Sequence, residues 1–146
     1  MKTNVKSRKR VGAAAVEMAV VMPFFVMVVL GIVELGRAMM VSQMLTNAAR
    51  EATRLAIVDG SSNTSVKQSV ESFLNKAIGV SASDLIVTVT VDPATGNEDP
   101  HDKIEDAQMR DLVTVVVEVP FDKVSYIPGD YLAGKNLKAS SAMRCE

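Results

Sequence analysis

The sequence predicts an α+β protein with a long N-terminal helix whose first half is transmembrane, a short second helix, and a small antiparallel sheet of about three strands. Three observations support this prediction. An apolar run begins near residue 11, directly behind a cluster of cations. Small and apolar residues then recur at helical spacing well beyond the length that a membrane needs. After residue 84 the period of the apolar residues changes to two, as in strands.

The first twelve residues form a short basic leader. Its cations are Lys2, Lys6, Arg8, Lys9 and Arg10, and it contains no acid. Five of the chain's sixteen cations therefore precede residue 13, and the remaining eleven accompany seventeen acids, a net charge of −6. The leader lacks interleaved aromatic residues and adjoins an apolar run, which argues against nucleic-acid binding. This charge asymmetry instead predicts a cytoplasmic N-terminus and an exported remainder.

The apolar run predicts a transmembrane segment over residues 13–33. Residues 11–33 are uncharged except for Glu17, and at about 1.5 Å per helical residue they suffice for a hydrocarbon core of about 30 Å. Pro23 lies inside the run and predicts a kink, which transmembrane helices tolerate. A carboxylate in such a helix costs about 2.5–3.5 kcal/mol on insertion scales, so Glu17 requires an explanation.

The helical pattern continues past the apolar run, because no proline or glycine interrupts residues 38–58. Small and apolar side chains share one face there: Met40, Met44, Ala48, Ala52, Leu55 and Ala56. We expect one helix from about Ala13 to Val58, ended by Asp59 and Gly60. Residues 34–58 would then form an extracytoplasmic extension of the membrane helix.

Charged residues mark the surfaces of this extension. Glu34 and Arg37 are three residues apart, and we expect them to form an exposed pair at the outer membrane boundary. Arg50, Glu51 and Arg54 lie largely off the apolar face, which predicts a solvated surface. Contact of these three with a partner subunit or with the sheet is the alternative.

Residues 59–146 predict a small extracytoplasmic α+β domain. The polar stretch "GSSNTS", a Ser65/Gln68 capping box and a terminal Gly79 indicate a second helix. Alternating β-branched runs then predict three strands, at Leu85–Val91, Leu112–Val119 and Leu137–Cys145. The highly charged residues 92–111 between the first two strands predict a solvent-exposed loop.

The chain offers little catalytic chemistry. His101 is flanked by Glu98, Asp99 and Asp102, but the spacing matches no calcium-binding loop, and we expect a charged loop without a metal or cofactor. No phosphate-binding glycine loop and no nucleophile–base pair is present, so we expect no enzymatic activity. Cys145 is the single cysteine, which excludes an intramolecular disulfide and leaves an idle thiol or an intermolecular bridge.

The N-terminus has the form of either a secretory signal or an uncleaved signal anchor. Its small residues, Gly12 to Ala15, precede the apolar run rather than follow it. Cleavage on the outer side therefore has no evident site. Cleavage on the cytoplasmic side, directly after the cations, would remove the leader and keep the apolar helix as the new N-terminus.

The string "KRVGAAAVE" resembles a type IV prepilin junction, where a prepilin peptidase cuts after glycine and leaves glutamate as the fifth mature residue. On this resemblance Gly12 ends the leader, Ala13 is the first mature residue and Glu17 the fifth. The longer string "GAAAVEMAVVMPFFVMVVLGIVELGRAMM", with "NAAREATRLA", resembles the TadE-like pseudopilins of tight-adherence systems. This similarity covers residues 10 to about 58, and the terminal "LKASSAMRCE" also resembles the family. Met18 stands where many pilins of this system have an aromatic residue.

The resemblance implies a non-enzymatic assembly subunit, a pseudopilin or minor pilin of a tight-adherence pilus or related secretion apparatus. It implies a single-pass protein of the bacterial inner membrane that reaches the cell surface if it is assembled into a fibre. The implied partners are the prepilin peptidase, sibling pilins and an inner-membrane assembly platform driven by a separate ATPase. Glu17 would set the register of packing. The alternative is an uncleaved, signal-anchored envelope protein with an extracytoplasmic binding domain.

Overall fold

The computed structural model describes residues 6–58, 60–126 and 134–146, with side chains from residue 12 onward. It confirms the predicted α+β class, because a long helix and a shorter one precede a three-stranded antiparallel sheet. The chain divides into two compact units, Met1–Gly36 and Arg37–Glu146. Residue 59 and residues 127–133, and with them the predicted role of Asp59 in ending the helix, lie outside the described residues.

The first helix, α1, comprises Lys6–Ala56. It begins earlier than the expected Ala13, because the cationic leader is itself helical as far as the structure describes it. The helix continues through Pro23, although that residue cannot donate the usual backbone hydrogen bond. After Ala56, the Ser61 hydroxyl donates to the carbonyl of Leu55 at 2.6 Å and the chain turns.

The second helix, α2, comprises Asn63–Ile78 and begins one turn earlier than its predicted cap implies. The Ser65 amide donates to Ser62 Oγ at 3.1 Å, and the Ser62 amide donates to Ser65 Oγ at 3.0 Å. The predicted Ser65/Gln68 box is therefore wrong. Several serines in this polar stretch suit a cap, so composition alone does not select Ser62. The predicted end at Gly79 is confirmed by its left-handed φ of 73°.

The sheet consists of β1 (Ile86–Asp92), β2 (Leu112–Pro120) and β3 (Asn136–Arg144), in the order β1-β2-β3 with both pairs antiparallel. Five of the six strand ends differ from the prediction by one residue, and the start of β2 agrees with it. Val115 pairs with Val89 on one side and with Ser141 on the other. Four alternate valines of the central strand are fully buried: Val113, Val115, Val117 and Val119.

One face of α1 packs into the core of the second unit. Its buried side chains are Val41, Leu45, Ala48, Ala49, Ala52 and Ala56. The predicted face is therefore largely right, but Met40 is 44% exposed, and Val41 and Leu45 replace it. The fully buried Thr53 hydroxyl lies 2.7 Å from the Ala49 carbonyl and 3.3 Å from the Ser141 carbonyl of β3. Arg50, Glu51 and Arg54 are exposed, as the sequence predicts.

The segment between β1 and β2 is not simply the exposed loop that its charge suggests. Ile104 and Asp111 are buried within it. The Asp111 carboxylate accepts hydrogen bonds from the amides of Ala94 (2.8 Å) and Gln108 (2.7 Å) and from Asn97 Nδ2 (2.6 Å). Burial alone raises the pKa of this carboxyl, but the three hydrogen bonds outweigh burial and hold the pKa below its ordinary 3.8.

Candidate functional site

The exposed apolar surface of α1 is the main feature of the first unit. From residue 12 to residue 30 every side chain is exposed. Phe24, Phe25 and Ile32 are each at least 60% exposed. Burying apolar surface is worth about 25 cal/mol per Å², so such a surface requires lipid or another apolar helix. The stretch Gly12–Ala56 is long and apolar enough to cross a membrane, and the apolar window within it is unburied.

The proposed processing junction lies at the start of this surface. Ala13 and Glu17 are four residues apart in a continuous helix, so they share a face and are separated by about 6 Å along the axis. Gly12 directly precedes Ala13, and a Cβ at Gly12 would meet nothing within 4 Å. Glycine is a weak helix former, by about 1 kcal/mol relative to alanine, so the helix is locally weak at this bond.

The comparisons with known proteins concern this same helix. The family model described as TadE-like protein matches residues 12–54. The N-terminal helix is thus similar to TadE-like proteins. The match begins at Gly12, includes Ala13 and Glu17, and extends to two residues before the end of α1. Comparisons with curated proteins and with solved structures gave no match.

The match confirms the predicted TadE-like resemblance over α1. The match covers 43 of the 146 residues, so α2, the sheet and the terminal "LKASSAMRCE" lie outside it. Gly12, Ala13 and Glu17 remain predicted site residues.

Glu34 and Arg37 differ from their prediction. Both side chains are buried, at 3% and 8% exposure, so the expected exposed pair is wrong. Arg37 Nε donates to the Val124 carbonyl at 2.9 Å, and its Cζ lies 4.3 Å from the centre of the Tyr126 ring. Arginine suits this position because its planar group forms a hydrogen bond and a ring contact together. No signal in the sequence links residues 87 positions apart.

The surface concavities among the described residues of the second unit include two beside α1. The larger, of about 570 Å³, separates the C-terminal half of α1 from α2 and has Ala48, Ala52, Val70 and Phe73 among its lining residues. The smaller, of about 260 Å³, lies beside Ala56, Ile104, Met109 and Cys145. Across residues 6–58, 60–126 and 134–146, no three metal-ligating side chains converge. The exposed His101 lies 3.7 Å from Asp99.

Proposed function

We propose that this chain is a pseudopilin or minor-pilin-like subunit of a tight-adherence pilus or related secretion apparatus. A prepilin peptidase matures it by cleavage after Gly12. The observation that carries the proposal is the unburied apolar helix of a TadE-like sequence, with Glu17 one turn from Ala13. The subunit crosses the bacterial inner membrane once, with its N-terminus in the cytoplasm and its α+β unit outside.

Cleavage explains the carboxylate in the apolar helix. Removal of residues 1–12 creates an α-amino cation at Ala13, and Glu17 is the nearest carboxylate in the chain sequence. The two pair either within one helix or between neighbouring subunits. In the second arrangement, a charge that costs about 2.5–3.5 kcal/mol in hydrocarbon is compensated only when the subunits dock in one register. The exposed apolar side chains of residues 12–30 supply the remaining contacts with lipid and sibling helices.

The proposed partners follow from this sequence of cleavage and assembly. The prepilin peptidase acts at the cytoplasmic face, where the basic leader lies by the positive-inside rule. Sibling pilins pack against the apolar helix, and an inner-membrane assembly platform, driven by a separate ATPase, takes up the processed subunit. The chain's own part is structural, because it provides the packing helix and the extracytoplasmic unit.

N-terminal sequencing of the membrane-purified protein tests the processing step. We expect the mature chain to start at Ala13, whereas an intact Met1 contradicts cleavage and favours the uncleaved signal-anchored envelope protein. Gly12→Ile should abolish processing, because the peptidase requires a small residue before the cut. Gly31→Ile is the matched control: Gly31 also lies in α1, a Cβ there would likewise meet nothing within 4 Å, and this variant should be processed normally.

A further inference from the structure

Arg37 ties the segment after β2 to the helix at the end of its apolar run. The segment comprises a 3₁₀ turn, Phe121–Lys123, and the residues up to Tyr126. Its Val124 carbonyl accepts from Arg37 Nε at 2.9 Å, and its Tyr126 ring lies 4.3 Å from Arg37 Cζ. Phe121 and Val124 anchor the segment further, because both are buried in the core of the second unit. Val124 and Tyr126 are thus held at the level of Arg37 on α1.

The position of Arg37 in the chain indicates where Arg37 lies relative to the hydrocarbon core of the membrane. Arg37 lies four residues after Val33, the last residue of the apolar run, and this corresponds to about 6 Å along a helix. The headgroup layer on each side of a bilayer is about 5–7 Å thick. With residues 13–33 in hydrocarbon, Arg37 and the side chains that contact it lie in the headgroup layer.

Tyr126 has the chemistry that this layer favours. Its side chain is 68% exposed, although its immediate neighbours in the segment are buried or half-buried. Tyrosine places an apolar ring and a polar hydroxyl together, and it is enriched where membranes meet water. The charged groups near it do not favour an anionic surface, because the Arg37 guanidinium against its ring is buried, Lys123 is paired with Asp84 at 3.1 Å, and Asp122 is exposed.

We propose that residues 121–126 form a membrane-interface contact, in which Tyr126 inserts among the headgroups of zwitterionic phospholipids beside the exit of α1. The inference rests on the membrane-spanning part of the proposed function and extends it to the α+β unit. The contact fixes the height of residues 121–126 at the membrane surface.

Single tryptophans test this contact, because the natural chain has none. Three full-length variants are reconstituted in phosphatidylcholine vesicles that carry bromine, a fluorescence quencher, either near the headgroup or near the chain terminus. Tyr126→Trp reports the proposed contact and preserves an aromatic ring over Arg37. Phe25→Trp, at a position 60% exposed, reports insertion of the apolar helix. Met109→Trp is the matched control, since Met109 is 69% exposed and lies beside Ala56, about 28 Å along α1 from Arg37.

We expect bromine near the headgroup to quench most of the Tyr126→Trp fluorescence and bromine near the chain terminus to quench Phe25→Trp instead. Met109→Trp should keep its fluorescence in both vesicles. Quenching of Phe25→Trp without quenching of Tyr126→Trp overturns the contact and leaves the proposed function intact. Equal quenching of Tyr126→Trp and Met109→Trp also overturns it, because the whole unit would then lie on the membrane. An unquenched Phe25→Trp contradicts insertion, and both proposals fall together.

Discussion

Glu17 is the single charged side chain between residues 11 and 33, and in the structure it is exposed on the apolar helix. Its proposed role as a register-setting partner for an amine created at Ala13 predicts a specific defect in Glu17→Gln. This variant keeps the size of the side chain and removes its charge, so cleavage after Gly12 should persist. Incorporation into assembled structures should fall about tenfold, which corresponds to about 1.4 kcal/mol.

Incorporation of Glu17→Gln is measured as the fraction of processed subunit in sheared surface material relative to the membrane. Glu51→Gln is the control, because Glu51 is an exposed carboxylate on the same helix but outside the apolar run. Normal incorporation of Glu17→Gln would show that the charge does not set the register of packing.

Asp111 is the residue whose carboxylate organises the loop before β2. In Asp111→Asn, one of the oxygens becomes an NH₂ group, which faces the amide donors of Ala94 or Gln108 instead of accepting from them. Loss of a hydrogen bond to a charged group costs about 1–3 kcal/mol, so the free energy of unfolding at pH 7 should fall by that amount. Urea unfolding measures it, and Glu105→Gln, at an exposed site in the same loop, should change little.

The lowered pKa of Asp111 also predicts a dependence on pH. A carboxyl whose pKa is lower in the folded state stabilises the fold fully above its unfolded pKa, near the ordinary 3.8. That contribution is lost as the pH falls through the lower, folded pKa. The difference in stability between the natural protein and Asp111→Asn should therefore shrink as the pH is lowered below about 4. A difference that stays constant down to about pH 2 would contradict the assigned role of the charge.

At the scale of elements, α1 joins two different chemistries in one helix. Its first part carries exposed valines and phenylalanines, whereas its C-terminal part buries alanines against the second unit. Small side chains at Ala48, Ala49 and Ala52 allow the helix backbone to approach its neighbours closely. Ala49→Leu should therefore lower the free energy of unfolding by about 1–3 kcal/mol through overpacking.

The control for Ala49→Leu is Asn47→Leu, which places the same side chain at an exposed position two residues away. It should change stability by no more than about 0.5 kcal/mol. Chemical denaturation of both variants in detergent gives the comparison. Equal stabilities would mean that the contact between α1 and the core tolerates a larger side chain than its burial indicates.

The strands and helices were predictable because their signals are local. Alternation of valines at β2 depends on neighbours two residues apart, and the αL turn at Gly79 depends on one residue. The predicted cap of α2 lies one turn too late, because the stretch before the helix holds several serines that each suit a cap. The burial of Arg37 and the loop bonds of Asp111 depend on contacts across 87 and up to 17 residues, which no local pattern encodes.

At the scale of the whole molecule, the described apolar core lies entirely in the second unit. It runs from Val41 to Ala139, and it joins α1, α2 and all three strands. The apolar side chains of residues 12–30 are exposed and take no part in it. The family match spans both units, since it begins at residue 12 in the first and ends at residue 54 in the second, before α2. Sequence resemblance therefore covers the exposed apolar helix and the α1 part of the core, whereas the rest of the core, in α2 and the sheet, lies outside it.

This division predicts that a fragment comprising residues 37–146 folds without the membrane helix. It retains every buried apolar side chain of the described core, so it should remain in solution and unfold cooperatively in urea, as single domains of this size do. The same fragment with Val115→Asp places a charge in the centre of the sheet and should lose the cooperative transition, because Val115 is fully buried. Aggregation of the natural fragment would show that the membrane helix is needed for folding. A folded fragment that fails to enter assemblies would separate the two roles, with stability in the α+β unit and assembly in the helix that bears Glu17.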